Sequence, residues 1–180
     1  MKKTETIAEV KTQSPFGWRS NKNWDELFKV ANQIGDIVSI HTDPRWGGSL
    51  ELIKKARLLT TKPILAKGLH TDDNQIQNAI EAGADWVLVV GRLPMVHAEK
   101  CFIEPLTLKE LRNFSSALKV VWNSRDLSTG EQKQETFEEA RAIYKGWLCQ
   151  ASNIKTMHDI KEGADAIIVG THLLEFSKYL

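Results

Sequence analysis

Two carboxylates, Glu9 and Glu104, two lysines, Lys11 and Lys67, and the arginine Arg125 each stand at or just beyond the end of a short apolar run. His41, Thr42, Gly91, Arg92 and Asn123 occupy comparable places, as do the pairs Ser152-Asn153 and Gly170-Thr171. Charges crowded at one mouth shift one another's pKa values, which suits proton transfer on an anionic substrate. The two small-residue pairs offer hydroxyls and backbone N–H groups at expected helix starts, where phosphate binds readily; ordinary helix capping is the competing reading. His41 has no second histidine or carboxylate at metal-ligand spacing, so no metal site is expected. Cys101 and Cys149 lack CxxC spacing and read as buried small hydrophobes rather than a disulfide or a zinc pair.

The elements that must gather these residues are eight apolar runs, at 6–10, 37–41, 63–67, 86–90, 101–104, 119–122, 147–150 and 166–169. Most are continuous rather than alternating, as parallel strands buried on both faces are. Amphipathic stretches lie between them. WDELFKVANQI puts Trp24, Leu27, Phe28, Ala31 and Ile34 on one helical face, LTLKELRNF and TFEEARAIY behave alike, and Asp25, Thr107 and Thr156 lie near expected helix starts. The segment GADWVLVVG at 83–91 is echoed by GADAIIVG at 163–170, which places the echo on the fourth and eighth runs. Two similar helix-to-strand junctions occur in any α/β protein, but the count of eight favours a (β/α)8 barrel, the TIM barrel, over an open sheet. One domain over residues 1–180 is expected.

That barrel is expected to be trimmed. Only GRLPMVHAEK separates runs four and five, and a crossover with its helix needs at least about 10–12 residues. Pro94 also discourages a helix there, so helix four is missing or reduced to a turn. The closing THLLEFSKYL leaves room for a short last helix. An uncovered flank at the fourth helix position would expose apolar barrel surface, and a homodimer through that flank is the expectation.

Lys and Arg number 24 against 23 Asp and Glu, a net charge of +1, which excludes a protein built around an electrostatic hold on nucleic acid or an anionic membrane. The start, MKKTETIAEVK, has no long apolar core, and no run approaches the roughly 18 apolar residues that span a bilayer. No membrane partner is expected, and the cytoplasm is the expected location.

The segment IAEVKTQSP at 7–15 resembles the first strand of indole-3-glycerol-phosphate synthases, which reads IAE-[IV]-K-x-x-SP. VSIHTDPRWGGSLELIKKAR at 38–57, PILAKGLHTDDNQIQNAIEAGADWVLVV at 63–90, WNSRDL at 122–127, SNIKT at 152–156 and GADAIIVG at 163–170 continue the resemblance in order. It implies a carbon–carbon lyase of tryptophan biosynthesis. The substrate would be 1-(2-carboxyphenylamino)-1-deoxyribulose 5-phosphate, a phosphosugar, whose indole ring is closed with loss of carbon dioxide and water and without a cofactor. By position, Lys67 would be the general acid of ring closure and Glu104 the catalytic carboxylate of strand five. Glu9 and Lys11 would be the strand-one pair, and Asn123 and Arg125 the strand-six pair. Ser14, Lys11, Arg125, Ser152, Asn153, Gly170 and Thr171 would hold substrate anions, and Trp46 would pack on the anthranilate ring.

The resemblance has departures. The family places an extra helix ahead of strand one, over the mouth, for which this sequence has no counterpart. Gly68-Leu69 stand where Asp-Phe is usual, and Ala151-Ser152-Asn153 where Glu-Ser-Gly is usual. A non-catalytic or repurposed phosphosugar-binding barrel is therefore the alternative. A phosphoribosylanthranilate isomerase ranks below both, because neither cysteine lies near strand one.

Overall fold

The computed structural model describes residues 3–180. Its strands are β1 (Glu5–Val10), β2 (Ile37–His41), β3 (Ile64–Lys67), β4 (Trp86–Val90), β5 (Cys101–Glu104), β6 (Lys119–Asn123), β7 (Leu148–Ala151) and β8 (Ala166–Val169). They pair in parallel in sequence order, and β8 closes back onto β1, giving a TIM barrel. Successive side chains alternate between two apolar environments. Ile7, Leu65, Leu88, Phe102, Val121, Cys149 and Ile168 fill the inside. Ala8, Val38, Ile40, Ile64, Ala66, Val87, Val89 and Ile103 pack outward against helices. Burial on both faces is why the runs carry no polar alternation.

The helices are α1 (Trp24–Ile34), α2 (Leu50–Leu59), α3 (Asp73–Glu81), α4 (Leu108–Leu111), α5 (Phe137–Ile143) and α6 (Leu173–Phe176). Asn23, rather than Asp25, caps α1, and its side chain and that of Glu26 close a reciprocal capping box. Thr107 caps α4 as expected. Between β4 and β5 the chain makes only a 3₁₀ turn, Ala98–Lys100, so helix four is indeed reduced. Leu93, Met95 and Val96 of that crossover are exposed, as is Leu106 beyond β5.

The crossover from β7 to β8 is shorter than the sequence reading allowed. No α-helix follows Thr156; it caps a single 3₁₀ turn, Met157–Asp159. The reason is a tether from the barrel. Gln150 donates to the Asp159 carbonyl at 2.9 Å and accepts from the Lys161 amide at 2.8 Å, which pulls the chain back toward β8 before a second helical turn can form.

The internal echo has a structural counterpart. Gly83 and Gly163 both have positive φ, the left-handed region that favours glycine. In one copy Arg57 reaches the Gly83 carbonyl and the Asp85 carboxylate; in the other Arg141 reaches Gly163 and Asp165. Each aspartate in turn accepts a backbone N–H from the neighbouring strand region, Ile64 in one case and Leu148 in the other. The repeated motif is thus a repeated clamp that ties the start of β4 to α2 and the start of β8 to α5, in each case the helix before the neighbouring strand. Among the described residues, no helix is long and apolar enough to cross a membrane.

Candidate active site

At the C-terminal end of β1 the Glu9 side chain is almost fully buried, at 2% exposure. A buried carboxylate needs paired charge or hydrogen bonds, and three neighbouring side chains supply them. Lys67, ending β3, donates to Oε2. His41, ending β2, lies 3.0 Å from Oε1 through Nε2, and Lys11 Nζ lies 3.7 Å from the same oxygen. Burial works to raise the Glu9 pKa, but the Lys67 charge, then His41 and Lys11, overcome it and hold the carboxyl well below its usual range. Burial pushes His41 downward more strongly than Glu9 lifts it. The imidazole is therefore a neutral donor at pH 7, and the two lysines supply the charge that keeps Glu9 ionised. Burial also lowers Lys11 to about 8 against the pull of Glu9, with Lys67 and Arg125 pushing the same way.

Glu104, ending β5, is buried at 1% exposure and has the opposite character. Burial raises its pKa, opposed by the Lys67 charge and by a hydrogen bond from Asn123 Nδ2 at 2.9 Å. Asn123 cannot turn its amide round without loss. Its Oδ1 accepts from the Ser152 hydroxyl at 2.6 Å and from the Arg125 amide at 3.0 Å, which leaves Nδ2 for Glu104. Two carboxyl groups in one mouth, one with its pKa held down and the other with its pKa pushed up, form an acid/base set.

These residues line two adjoining cavities. The first, about 490 Å³ including its open top, has Glu9, Lys11, His41, Lys67, Glu104, Asn123, Arg125 and Ser152 as its polar lining. Phe16, Trp46, Leu69, Leu88, Val90 and Leu127 make its apolar wall. Trp46 stacks on His41 with ring centroids 5.8 Å apart and planes 3° from parallel, and Phe16 meets Trp46 edge-on at 6.5 Å. The second cavity, about 340 Å³, shares Glu9, Lys11, Lys67, Arg125 and Ser152 and adds Asn153, Gly170, Thr171 and His172. Gly170 is required there, since a Cβ would lie 2.5 Å from Glu9 Oε1. Ser152 and Asn153 both hold positive φ, at 75° and 59°, a conformation rare outside glycine and frequent at ligand-holding turns.

Most of the residues singled out from sequence come together here, but two expectations need correction. Ser14 lines neither cavity; its hydroxyl accepts from the Phe16 amide at 3.3 Å, so it shapes the turn that carries Phe16. The helix-dipole argument for phosphate also fails. The turn after β7 leads into no α-helix, and α6 has only four residues, too few to build a macrodipole. An anion in the second cavity would rely on turn N–H groups, the Thr171 hydroxyl, Lys11 and Arg125. Sequence reasoning listed His41 among the polar strand ends without giving it a role, and it did not place Phe16 or Leu127 in the site. His41 was visible as a polar strand end, whereas the two loop residues follow no periodicity.

A family model described as "Indole-3-glycerol phosphate synthase" matches residues 1–178. Among curated relatives, the indole-3-glycerol phosphate synthase of Nautilia profundicola is 28% identical, with 93% of this chain and 74% of the relative aligned. Those of Sulfurisphaera tokodaii and Bacillus pumilus are 28% and 29% identical, covering 96% and 93% of this chain and 79% and 77% of theirs. The crystal structure of 3-hexulose-6-phosphate synthase from Salmonella typhimurium superposes with a TM-score of 0.72 over 98% of both chains at 15% identity, a likeness of fold. With the family match running almost from end to end of a closed barrel, the chain belongs to the indole-3-glycerol phosphate synthase family.

Proposed function

We propose that this barrel closes the indole ring of 1-(2-carboxyphenylamino)-1-deoxyribulose 5-phosphate, releasing carbon dioxide and water. The observation that carries the reading is the convergence of Lys67, Glu9 and Glu104 on a cavity with an aromatic wall, next to a second cavity lined by Arg125, Ser152, Asn153, Gly170 and Thr171. Lys67 as an ammonium protonates the carbonyl oxygen as the ring carbon attacks it, and the carboxylate on that carbon leaves as carbon dioxide. Glu104, its pKa raised by burial, gives a proton to the resulting hydroxyl so that it departs as water, and takes one back from the neighbouring ring CH2, whose C–H electrons form the double bond of the indole; Lys67 regains its proton from solvent. Glu9 holds the Lys67 ammonium in place. Trp46 and Phe16 suit the anthranilate ring, and Lys11 and Arg125 the anions.

Incubation of the purified protein with that substrate is expected to give indole fluorescence; absence of product from the wild type would sink the proposal. The Lys11 pKa near 8 adds a pH dependence. Below about 8 the side chain is charged and attracts the substrate's anions, and above it the charge is lost. KM is therefore expected to rise as pH passes through 8, more steeply than kcat changes, and Lys11→Arg to abolish that rise in steady-state assays across pH 6.5 to 9.

A second reading has one observation in its favour. Ala151, at 1% exposure, presents only a methyl group at the end of β7, where the family's usual glutamate would add a third carboxylate. A barrel that binds phosphosugars without turning them over would keep the second cavity and lose ring closure. Calorimetric binding of a substrate analogue with no product would favour it.

A further inference from the structure

His41 is a buried group of the mouth that the proposed reaction leaves unused, and its surroundings are unusual. Nε2 meets Glu9 Oε1 at 3.0 Å, the ring face stacks on Trp46, and Nδ1 is buried without any hydrogen-bond partner among the described residues. A buried acceptor left unpaired is destabilising, and an apolar side chain would fill the same space without it. The other two features of the imidazole act together. We infer that His41 is a positioning residue that locks the Glu9 carboxylate and the Trp46 ring into one unit, so that the polar floor and the aromatic wall of the cavity keep a fixed spacing. The inference rests on the ring-closure reading for its kinetic consequences, but not for its geometry.

The lock acts through the division of Glu9's two oxygens. Oε2 takes the Lys67 ammonium, and Oε1 takes His41 with Lys11 further off. On the remaining side Gly170 hems the carboxylate in so closely that a methyl group could not be added there. Without His41, Oε1 is free to turn toward Lys11, and the carboxylate that steadies Lys67 loses its plane. The charged and titratable groups facing this pair are Lys11 on the β1 loop, Lys67 on β3, Glu104 on β5, Arg125 beside Lys11, and Asp43 and His70 on the neighbouring loops. None of them replaces a neutral donor at Oε1. Trp46 sits on the 3₁₀ turn Pro44–Trp46, and its other ring partners, Phe16 and the exposed Arg45, also come from loops. His41 is its contact with a barrel strand.

Two substitutions separate the two halves of the lock. His41→Phe keeps a flat ring for Trp46 and removes the donor; His41→Gln keeps an N–H donor and removes the ring. In the protein without substrate, carbon-13 NMR titration of the Glu9 carboxylate, assigned with Glu9→Gln, is expected to show the midpoint rise by about one pH unit in His41→Phe and stay in place in His41→Gln. Trp46 emission is expected to shift in His41→Gln and not in His41→Phe. With substrate, His41→Phe should lower kcat about tenfold and move the acid limb of kcat/KM to higher pH, whereas His41→Gln should raise KM several-fold with the acid limb unmoved. A Glu9 midpoint unchanged in His41→Phe, or moved equally in both variants, overturns the inference. If His41→Phe does not fold, His41→Leu tests the donor in the same titration. Because the titration needs no turnover, a wild type that makes no indole would refute the proposed function and leave this inference to be decided on its own.

Discussion

Lys67→Ala is expected to lower kcat for indole formation by about 10³-fold or more while KM stays within a few-fold, because in the proposed ring closure the ammonium would act on charge that develops only as the carbonyl is attacked. The same substitution also takes the nearest cation from Glu9, a carboxylate buried at the end of β1. Removing one partner of a buried ion pair costs about 3–5 kcal/mol, so loss of activity in the alanine variant alone would not separate chemistry from folding. Lys67→Gln does so. Its side-chain N–H can still donate to Glu9, but it has no proton to give the substrate. Both variants are expected to lose kcat alike, with the alanine variant, which also loses the hydrogen bond to Glu9, losing more melting temperature than the glutamine variant. The pH dependence of that loss has a definite sign. Glu9 has a depressed folded pKa, so its stabilisation is present above the usual carboxylate range and is lost as pH falls through the folded value. The melting difference between Lys67→Ala and wild type is therefore widest near neutral pH and closes in strong acid. A kcat retained in Lys67→Gln would remove Lys67 from the chemistry and leave it as Glu9's counter-ion.

The barrel was legible because strands buried on both faces leave an uninterrupted apolar trace, and all eight traces coincide with strands to within a residue at either end. Pro63 was read into β3 but has no N–H to give the ladder; it contributes only its carbonyl, to Val38. Asn123 and Ala151 were read as lying past their strands, yet they pair with each other as the last rung between β6 and β7. On the other side of β6, the register that sets Ile103 of β5 opposite Val120 brings Asn123 within reach of Glu104. The strand ends therefore gave the catalytic candidates directly, since a parallel barrel delivers every C-terminal end to one mouth. The connections were less legible. TMHDIKEG has a good cap in Thr156, but the Gln150 tether that cuts the helix short is a contact between a strand side chain and a turn, which no local pattern records. Phe16 entered the wall for the same kind of reason. Its ring packs where a Cβ on Gly130 would lie 2.5 Å from it, a meeting of the β1 and β6 loops that sequence distance conceals.

The sharper test of the acid/base set is Glu104→Gln, because it separates stability from activity in opposite directions. The substitution preserves volume, and the new amide oxygen can still accept from Asn123 Nδ2, so the chain Ser152–Asn123–residue 104 survives. It removes the exchangeable proton, and kcat is expected to fall by about 10²–10⁴-fold with KM little changed. Stability is expected to rise. Burial pushes the Glu104 pKa above its ordinary value, with Lys67 and Asn123 opposing only in part. A carboxyl with a raised folded pKa binds its proton more tightly folded than unfolded. Its contribution is thus most favourable at low pH and is eroded as pH climbs from the unfolded value through the folded one. Each pH unit of such a difference corresponds to about 1.4 kcal/mol. Glutamine carries no charge to desolvate and escapes that erosion. In thermal melts from pH 4 to 8, the variant should match wild type at the acid end and melt progressively higher as pH rises, while indole formation stays lost throughout. A variant that melts lower than wild type at pH 8 would mean that Glu104 is a stabilising anion for Lys67, and the assignment of the proton donor to this position would fail. The two carboxyl groups would then share one role, and Glu9 would have to supply the second proton transfer from a site already occupied by Lys67, His41 and Lys11.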